Sequence, residues 1–204
     1  MNFTAWLPLA GVCLLGAMSP GPSLAMIIRQ TLGGSRQQGV CAAAAHGVGV
    51  GLFALAAVQG LALVLTAEPW LFRAITWAGA AFLCWLGWQS LRAGGDGPAL
   101  ADPAQARSSL WRSTREGLVV ALSNPHLAVF FLALFSQFVV PGMSWAHKAG
   151  MVLLAGVLDM AWYSLVALLL SHPRVLTLLR CRMGWVNRAT GVVLLLMSVR
   201  VLTL

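Results

Sequence analysis

Six long apolar runs divide this sequence of 204 residues. They cover residues 3–28, 40–66, 70–91, 117–140, 146–170 and 184–204. A helix needs about 20 mostly apolar residues to cross the hydrocarbon core of a bilayer, and each run reaches that length. Hydrophobic residues make up 59% of the chain and charged residues only 9%, whereas soluble domains carry about 25% charged residues. The sequence therefore predicts an all-α integral membrane protein with six transmembrane helices.

Proline interrupts two of the six runs. The first interruption reads Ser19-Pro20-Gly21-Pro22-Ser23, and the second, in the fourth run, reads Ser123-Asn124-Pro125-His126. Proline removes a backbone donor and clashes with the preceding turn, and lipid tolerates the freed groups only where protein or a wet cavity serves them. Matched interruptions in two halves of a chain are typical of the binding site of a secondary transporter. We therefore expect broken helices at Ser19–Pro22 and at Asn124–Pro125.

Lys and Arg are distributed unevenly among the connections between the runs. Ten of the 13 lie in or beside the first, third and fifth connections, which are therefore predicted to be cytoplasmic, with both termini on the outside. Three spans in each half reverse the starting side. The halves 1–91 and 117–204 are thus predicted to be inverted relative to each other around a cytoplasmic linker, 92–116, within one transmembrane domain. An interfacial helix is expected within this linker around Trp111. The basic residues form no stripe for phosphates, so no nucleic-acid partner is expected.

One acidic residue lies deep within a predicted span. Asp159 is in the middle of the fifth run, and the other four acids lie in loops or at span ends. A charge at the bilayer centre costs about 2.5–3.5 kcal/mol on insertion scales, and such residues usually mark an ion or substrate pathway. Asp159 is therefore the candidate for coupling, through binding of a proton or a substrate amine. The alternative is an Asp that is bonded to backbone and only holds helices together.

The helix breaks offer a second kind of chemistry. The N-terminus of a half-helix presents free amides and a partial positive charge, which suits a carboxylate, and a glycine there lets a ligand approach the backbone closely. The candidate substrate-binding residues are Ser19, Pro20, Gly21, Pro22, Ser23, Asn124, Pro125 and His126. The alternative is a pair of kinks that neighbouring helices satisfy.

Two histidines, His46 and His126, also lie within predicted spans. His126 borders the second break, whereas His46 is interpreted as a polar contact near the cytoplasmic end of the second span. With Asp159 they could form a metal site, so a metal-cation exporter stays open as an alternative. A membrane-embedded enzyme would need a nucleophile and a base, for which Ser19 or Ser123 beside His126 is the candidate pair. The sequence has no enzyme or phosphate-loop motif, and neither a cofactor nor a resident metal is expected.

Short motifs in five of the six runs carry a family resemblance. They are Ser19-Pro20-Gly21-Pro22, the segment from Trp77 to Trp88, Asn124-Pro125 with Phe130-Phe131 and Gln137-Phe138, Asp159-x-x-Trp162-Tyr163, and Asn187-Arg188-x-x-Gly191. With these motifs the chain resembles the LysE/RhtB family of bacterial amino-acid exporters along nearly its whole length. Departures at Ser23, Phe82, His126 and Ser136 concern the identity of the substrate.

The resemblance implies a multi-pass inner-membrane exporter of amino acids or close derivatives, such as homoserine, threonine or another neutral amino acid, driven by proton antiport. Both termini would then be periplasmic. The expected partners are a small amino-acid substrate, protons and the lipid bilayer, and association into a homo-oligomer is left open.

The uneven Lys and Arg distribution predicts the membrane topology. A reporter fused within residues 92–116 should give a cytoplasmic signal, and one fused after Leu204 a periplasmic signal, because positively charged connections stay on the cytoplasmic side. Activity of paired alkaline phosphatase and fluorescent protein fusions measures this. A cytoplasmic C-terminus together with an outside N-terminus would give an odd number of spans and remove the inverted plan.

Overall fold

The computed structural model describes residues 3–92, 109–170 and 173–200, which form eight α-helices and one π-helical turn. The helices are α1 (Phe3–Met18), α2 (Pro22–Arg29), α3 (Arg36–Ala67), α4 (Pro69–Arg92), α5 (Leu110–Leu122), α6 (Pro125–Phe135), α7 (Trp145–Leu169) and α8 (Pro173–Arg200). The π-helical turn, Gln30–Gly34, follows α2 directly. No strand occurs in these ranges, so the predicted all-α class is confirmed.

The membrane-spanning helices are recognised by their length and composition. α3, α4 and α7 are long and apolar enough to cross a bilayer, and counting each bent pair of helices as one span gives up to five within the described ranges. α8 has 28 residues, and its segment Gly184–Val199 is apolar. A multi-pass membrane protein is confirmed, and the sixth span and the inverted halves stay predictions.

Both predicted helix breaks are present. The chain bends by 58° between α1 and α2 and by 54° between α5 and α6. Pro22 and Pro125 are each the first residue of the helix that follows, a position where the missing amide has no intrahelical acceptor anyway. Gly21 before α2 is fully extended and offers no side-chain cap, whereas the Asn124 side chain before α6 accepts a hydrogen bond from the His126 amide at 3.0 Å.

The boundaries of the fourth and sixth runs differ from the prediction. α5 begins at Leu110 because the Ser109 hydroxyl accepts a hydrogen bond from the Arg112 amide. The helix expected around Trp111 is therefore present, but it is continuous with the fourth run and is not a separate element of the linker 92–116. The remainder of that linker, 93–108, lies outside the described residues. α6 ends at Phe135 rather than at residue 140, and α8 begins at Pro173 rather than at residue 184. Hydropathy marks apolar residues, so it misses the polar first turns of α5 and α8 and includes the residues after Phe135, which are apolar in part but not helical.

Glycine pairs form two close helix crossings. A Cβ atom on Gly47 of α3 would lie 2.8 Å from the Gly156 carbonyl oxygen of α7, and one on Gly156 would lie 3.0 Å from that of Gly47. α4 and α8 meet in the same reciprocal way at Gly87 and Gly191, with distances of 2.9 and 2.7 Å. Small residues allow backbones to approach this closely, as in many membrane helix pairs.

The helices form two packed groups that are bridged on one side. α2, α5 and α7 pack around α3, and α4 packs along α8. α1 contacts both α7 and α8, and α6 contacts both α3 and α4. The half-helices α1 and α6 therefore connect the two groups, whereas α2 and α5 pack mainly within the first group in the described residues.

Polar contacts fasten α2 and its π-helical turn to α5. Arg29 forms an ion pair with Glu116, which also accepts a hydrogen bond from the Gln30 side chain. The Ser113 hydroxyl donates to Gln30 Oε1 at 2.9 Å. Gln30 and Ser113 are buried, so the network ties the end of the first broken helix to the start of the second.

The α3–α7 crossing predicts a stability difference between two glycines of α3. Gly47→Ala should lower the free energy of unfolding by about 1–3 kcal/mol, because its Cβ would overlap Gly156 and Met160 and overpacking costs about that much. Gly60→Ala is the matched control, since nothing lies within 4 Å of its Cβ, and it should be neutral or stabilising by up to about 1 kcal/mol. Thermal unfolding of the two purified variants in detergent compares them, and equal stabilities would contradict the tight crossing.

Candidate functional site

A cavity of about 530 Å³ lies between the two helix breaks. Eight of the nine predicted site residues line it, namely Ser19, Pro20, Gly21, Pro22, Ser23, Asn124, His126 and Asp159, and Pro125 does not. The volume lies within the range of about 300–1,000 Å³ that is usual for small-molecule sites. The structure thus brings both breaks and the mid-span carboxylate to one cavity, and their role in binding stays a prediction.

A buried chain of hydrogen bonds runs from Asp159 through His46 to Ser23. Nδ1 of His46 is 2.7 Å from Oδ2 of Asp159, and Nε2 of the same ring is 2.8 Å from Oγ of Ser23. His46 has no exposed surface and Asp159 is 6% exposed. The Tyr163 ring meets the imidazole edge-on, with centroids 5.2 Å apart, and its hydroxyl hydrogen-bonds the Ser23 side chain.

The helix crossing explains why these side chains meet. Asp159 and Tyr163 are one turn apart on α7 and therefore share one of its faces. The next residue after His46 is Gly47, at which α3 and α7 approach most closely. This close approach places the imidazole directly against the carboxylate. Because every polar atom of the ring has a partner, the burial of His46 leaves no donor or acceptor unsatisfied.

The interpretation of His46 as an interfacial polar contact was therefore wrong. Its ring is completely buried and bonded at both nitrogens. His126 is exposed on the cavity wall, where its ring contacts Phe82 and Trp85 with centroid distances of 5.6 and 5.9 Å. In the described part of the chain neither Ser19 nor Ser123 hydrogen-bonds to His126, so the predicted nucleophile–base pair does not form.

Polar residues of α4 and α8 also line the cavity and were not predicted as site residues. They are Gln89, Ser90, Asn187 and Thr190. Thr190 donates a hydrogen bond to the Leu15 carbonyl at 3.3 Å and so joins α8 to α1. The spacing of Asn187 and Thr190, three residues apart in an apolar run, is the sequence signal that could have identified them, since it places both on one helix face.

The cavity wall has a polar and an apolar side. The breaks, α7, α8 and the end of α4 supply its polar groups, whereas the apolar side consists mainly of Leu86 of α4 and of Leu127, Phe130 and Phe131 of α6. Among the described lining residues no Lys or Arg occurs, and Asp159 is the only acid. The wall can therefore hold a small molecule that has a polar end and an uncharged side chain.

Comparisons with known proteins identify the family of this chain. The family model described as LysE type translocator matches residues 14–204. The chain belongs to the LysE family. Its relatives include a threonine efflux protein of Escherichia coli K12, 31% identical over 174 residues that cover 83% of this chain and 84% of the relative. No solved structure matches the chain.

Two further relatives widen the comparison within the LysE family. A homoserine/homoserine lactone efflux protein of Salmonella typhimurium is 32% identical over 143 residues, which cover 69% of this chain and 68% of the relative. An uncharacterized membrane protein of Pseudomonas aeruginosa is 33% identical over 159 residues, covering 72% and 69%. The family model describes a translocator, so this chain is a membrane translocator of the LysE family.

The three residues considered as metal ligands in this LysE-family chain are His46, His126 and Asp159. Of the three residues considered as ligands, the structure joins only His46 and Asp159. No group of three or more His, Cys, Asp or Glu side chains that could hold a metal ion occurs among the described residues. Two ligands are fewer than stable metal sites in proteins supply.

Proposed function

We propose that this chain is a secondary transporter that exports a neutral amino acid or a close derivative, such as threonine or homoserine, in exchange for protons. One observation carries the proposal: the two helix breaks and the mid-span carboxylate line the same cavity. Paired broken helices at a shared site are the pattern of secondary transporters. Two relatives bear the names threonine efflux protein and homoserine/homoserine lactone efflux protein, which supports an amino-acid substrate.

The substrate carboxylate would bind at the N-terminus of α2. The first-turn amides of Ser23 and Leu24 have no acceptor within the helix, and Gly21 provides no side-chain cap. A carboxylate can accept from these amides and is favoured by the helix dipole. The corresponding N-terminus of α6 is already capped by Asn124. In this proposal the first break anchors the carboxylate, and the second, with Pro125 and His126, shapes the space beside it.

The substrate amine would bind Asp159. This residue lines the cavity, while its Oδ2 atom is bonded to His46. A carboxylate that binds an ammonium group strongly cannot hold a proton tightly at the same time. Protonation at this position therefore releases the amine, and deprotonation allows the next substrate to bind, which couples export to proton entry.

The glycine crossings support the inverted arrangement of the halves. In that plan α7 is the counterpart of α3, and α8 is the counterpart of α4. Each helix meets its own counterpart through a reciprocal glycine contact, as expected where a two-fold axis passes between two equivalent elements. Gly87 and Gly191 are separated by the same 104 residues as Ser19 and Ser123. These observations favour six spans in two inverted halves with both termini periplasmic.

The packing of the half-helices suggests which side of the cavity is closed. α1 and α6 would form the periplasmic halves of their spans, and they bridge the α3–α7 group to the α4–α8 pair. α2 and α5 would form the cytoplasmic halves, which pack mainly on α3 and each other. The cavity would therefore open towards the cytoplasm, between α2 and α5 on one side and the α4–α8 pair on the other. Release would require α1 and α6 to move at the breaks.

A serine hydrolase is the second candidate function, because the bonds from Ser23 to His46 to Asp159 run in the order of a catalytic triad. Two observations favour transport. Asp159 lines the cavity, whereas the orienting carboxylate of a triad lies behind the histidine, away from substrate. The Ser23 hydroxyl is also bonded to Tyr163, which competes with its use as a nucleophile. The metal-cation exporter lacks a third ligand among the described residues.

A glycine variant tests the proposed function and the place of binding together. Gly21→Leu should fold normally, because nothing lies within 4 Å of its Cβ, yet its side chain should fill the cavity and abolish transport. Gly11→Leu is the matched control, since its Cβ is equally free and Gly11 is exposed on α1 away from the cavity wall. Proteoliposomes loaded with a panel of labelled amino acids measure efflux.

Efflux of threonine or homoserine by the wild type and Gly11→Leu, and its loss in Gly21→Leu, is the expected result. Efflux of Co²⁺ or Ni²⁺ without amino-acid efflux would refute the proposal. Hydrolysis of a lactone or ester by the wild type that disappears in Ser23→Ala would support the second candidate. Full activity of Gly21→Leu would show that the first break is only a packing kink.

Asp159→Asn should lose gradient-driven export. The amide keeps the shape of the carboxylate but carries no charge, so an ammonium group loses its partner. For a one-to-one exchange, two units of pH difference can support an accumulation ratio of at most about a hundredfold, and this ratio should fall to about one in the variant. Accumulation against an imposed pH gradient measures it at matched protein levels. Undiminished, pH-dependent accumulation by Asp159→Asn would remove Asp159 from the mechanism and direct attention to His126.

A further inference from the structure

We propose that His46 carries the coupling proton, on the buried side of Asp159, while Asp159 itself binds the substrate amine on its cavity side. The inference rests on the proposed function and deepens it. His46 is the residue that sequence interpretation placed at the membrane interface. Because His46 lies behind the carboxylate, the proton and the substrate amine would bind to two different side chains and would not compete for Asp159.

The Asp159–His46 pair has one side towards the cavity and one side away from it. Asp159 lines the cavity, whereas His46 is not part of its wall and has no exposed surface. The bond between Nδ1 and Oδ2 joins them at 2.7 Å. A substrate amine entering the cavity therefore reaches the carboxylate and cannot reach the imidazole.

Both protonation states of His46 keep every hydrogen bond of the chain. In the neutral ring Nδ1–H donates to Asp159, and the Ser23 hydroxyl donates to Nε2. In the imidazolium Nε2–H donates to Ser23 Oγ, and the Ser23 hydroxyl rotates to donate to the Tyr163 oxygen. A hydroxyl can serve as donor or acceptor by rotation alone. The proton can therefore be added or removed without leaving a buried polar group unpaired.

Ser23 also provides the route for the proton. It lines the cavity and is bonded to Nε2, so its hydroxyl touches both the wet space and the buried ring. A hydronium ion in the cavity can give a proton to Ser23 Oγ while the Ser23 hydroxyl proton moves to Nε2. One O–H bond breaks at the hydronium and one at Ser23, a new O–H bond forms at Ser23 and an N–H bond forms at Nε2, so a neutral water remains and His46 carries one more proton.

The proton on His46 changes what the cavity offers an amine. With a neutral ring, Asp159 presents a full negative charge to the substrate. With an imidazolium, the pair is neutral overall, and the attraction for an ammonium group is largely lost. Among the described residues, the other titratable groups that interact with the pair are Cys13 of α1 and Tyr163 of α7, and neither supplies a positive charge that could replace that of His46.

The test uses His46→Asn in proteoliposomes beside the wild type, Asp159→Asn and His147→Asn. The Asn side chain can still donate to Asp159 but cannot hold an extra proton. We expect His46→Asn to retain measurable exchange of labelled for unlabelled substrate, while a pH gradient produces no accumulation. Asp159→Asn should lose both activities. His147→Asn, at the first turn of α7 and outside the cavity wall, should keep both.

Accumulation driven by the gradient in His46→Asn would overturn the inference and return the proton to Asp159. If the wild type exchanges no amino acid, the proposed transport function fails and the inference fails with it, so the two failures are distinguishable. Should His46→Asn not fold, infrared difference spectra of the wild type with and without threonine decide the matter. An imidazolium signal that disappears on binding supports His46, and a protonated-carboxyl band refutes it.

Discussion

The rest of the site depends on one hydrogen bond between two polar side chains in an apolar bundle. A carboxylate at mid-span is costly, and Asp159 is stabilised there by the His46 ring 2.7 Å away. That contact requires α3 and α7 to be closer than ordinary side chains would allow. Gly47 and Gly156 supply the space, so the smallest residues of the bundle position its most polar pair. The crossing and the pair are therefore one structural unit.

Hydropathy and proline made the framework predictable from sequence. The apolar runs identified the helices and the class of protein, and Pro22 and Pro125 identified the two breaks, because a proline in an apolar helix leaves backbone groups that must be satisfied. The ends of α5, α6 and α8 were not predictable in this way. Amphipathic turns such as the one that contains Trp111, 75% exposed, are helical without being apolar.

The site itself was predictable only for residues with an unusual local signal. Asp159 is identifiable because it is a lone acid in an apolar run, and Gly21 because it lies between prolines. His46 has no such signal. Its partners are 113 residues away at Asp159 and 23 residues away at Ser23, and neither distance follows any periodicity of a single helix. Tertiary packing alone decides that this histidine is central and that His126 is exposed.

The two breaks are similar in sequence but differ in the capping of the helix that follows each of them. The Asn124 amide group already occupies the start of α6, whereas the start of α2 has only Gly21 before it. A substrate with a carboxylate therefore has one preferred orientation in the cavity, although the two halves of the protein around it would be similar in structure. The substrate would keep this orientation while the helices around it move during transport. Sequence changes at the second break would then alter which substrate side chain is accepted, whereas binding of the carboxylate at the first break would not change.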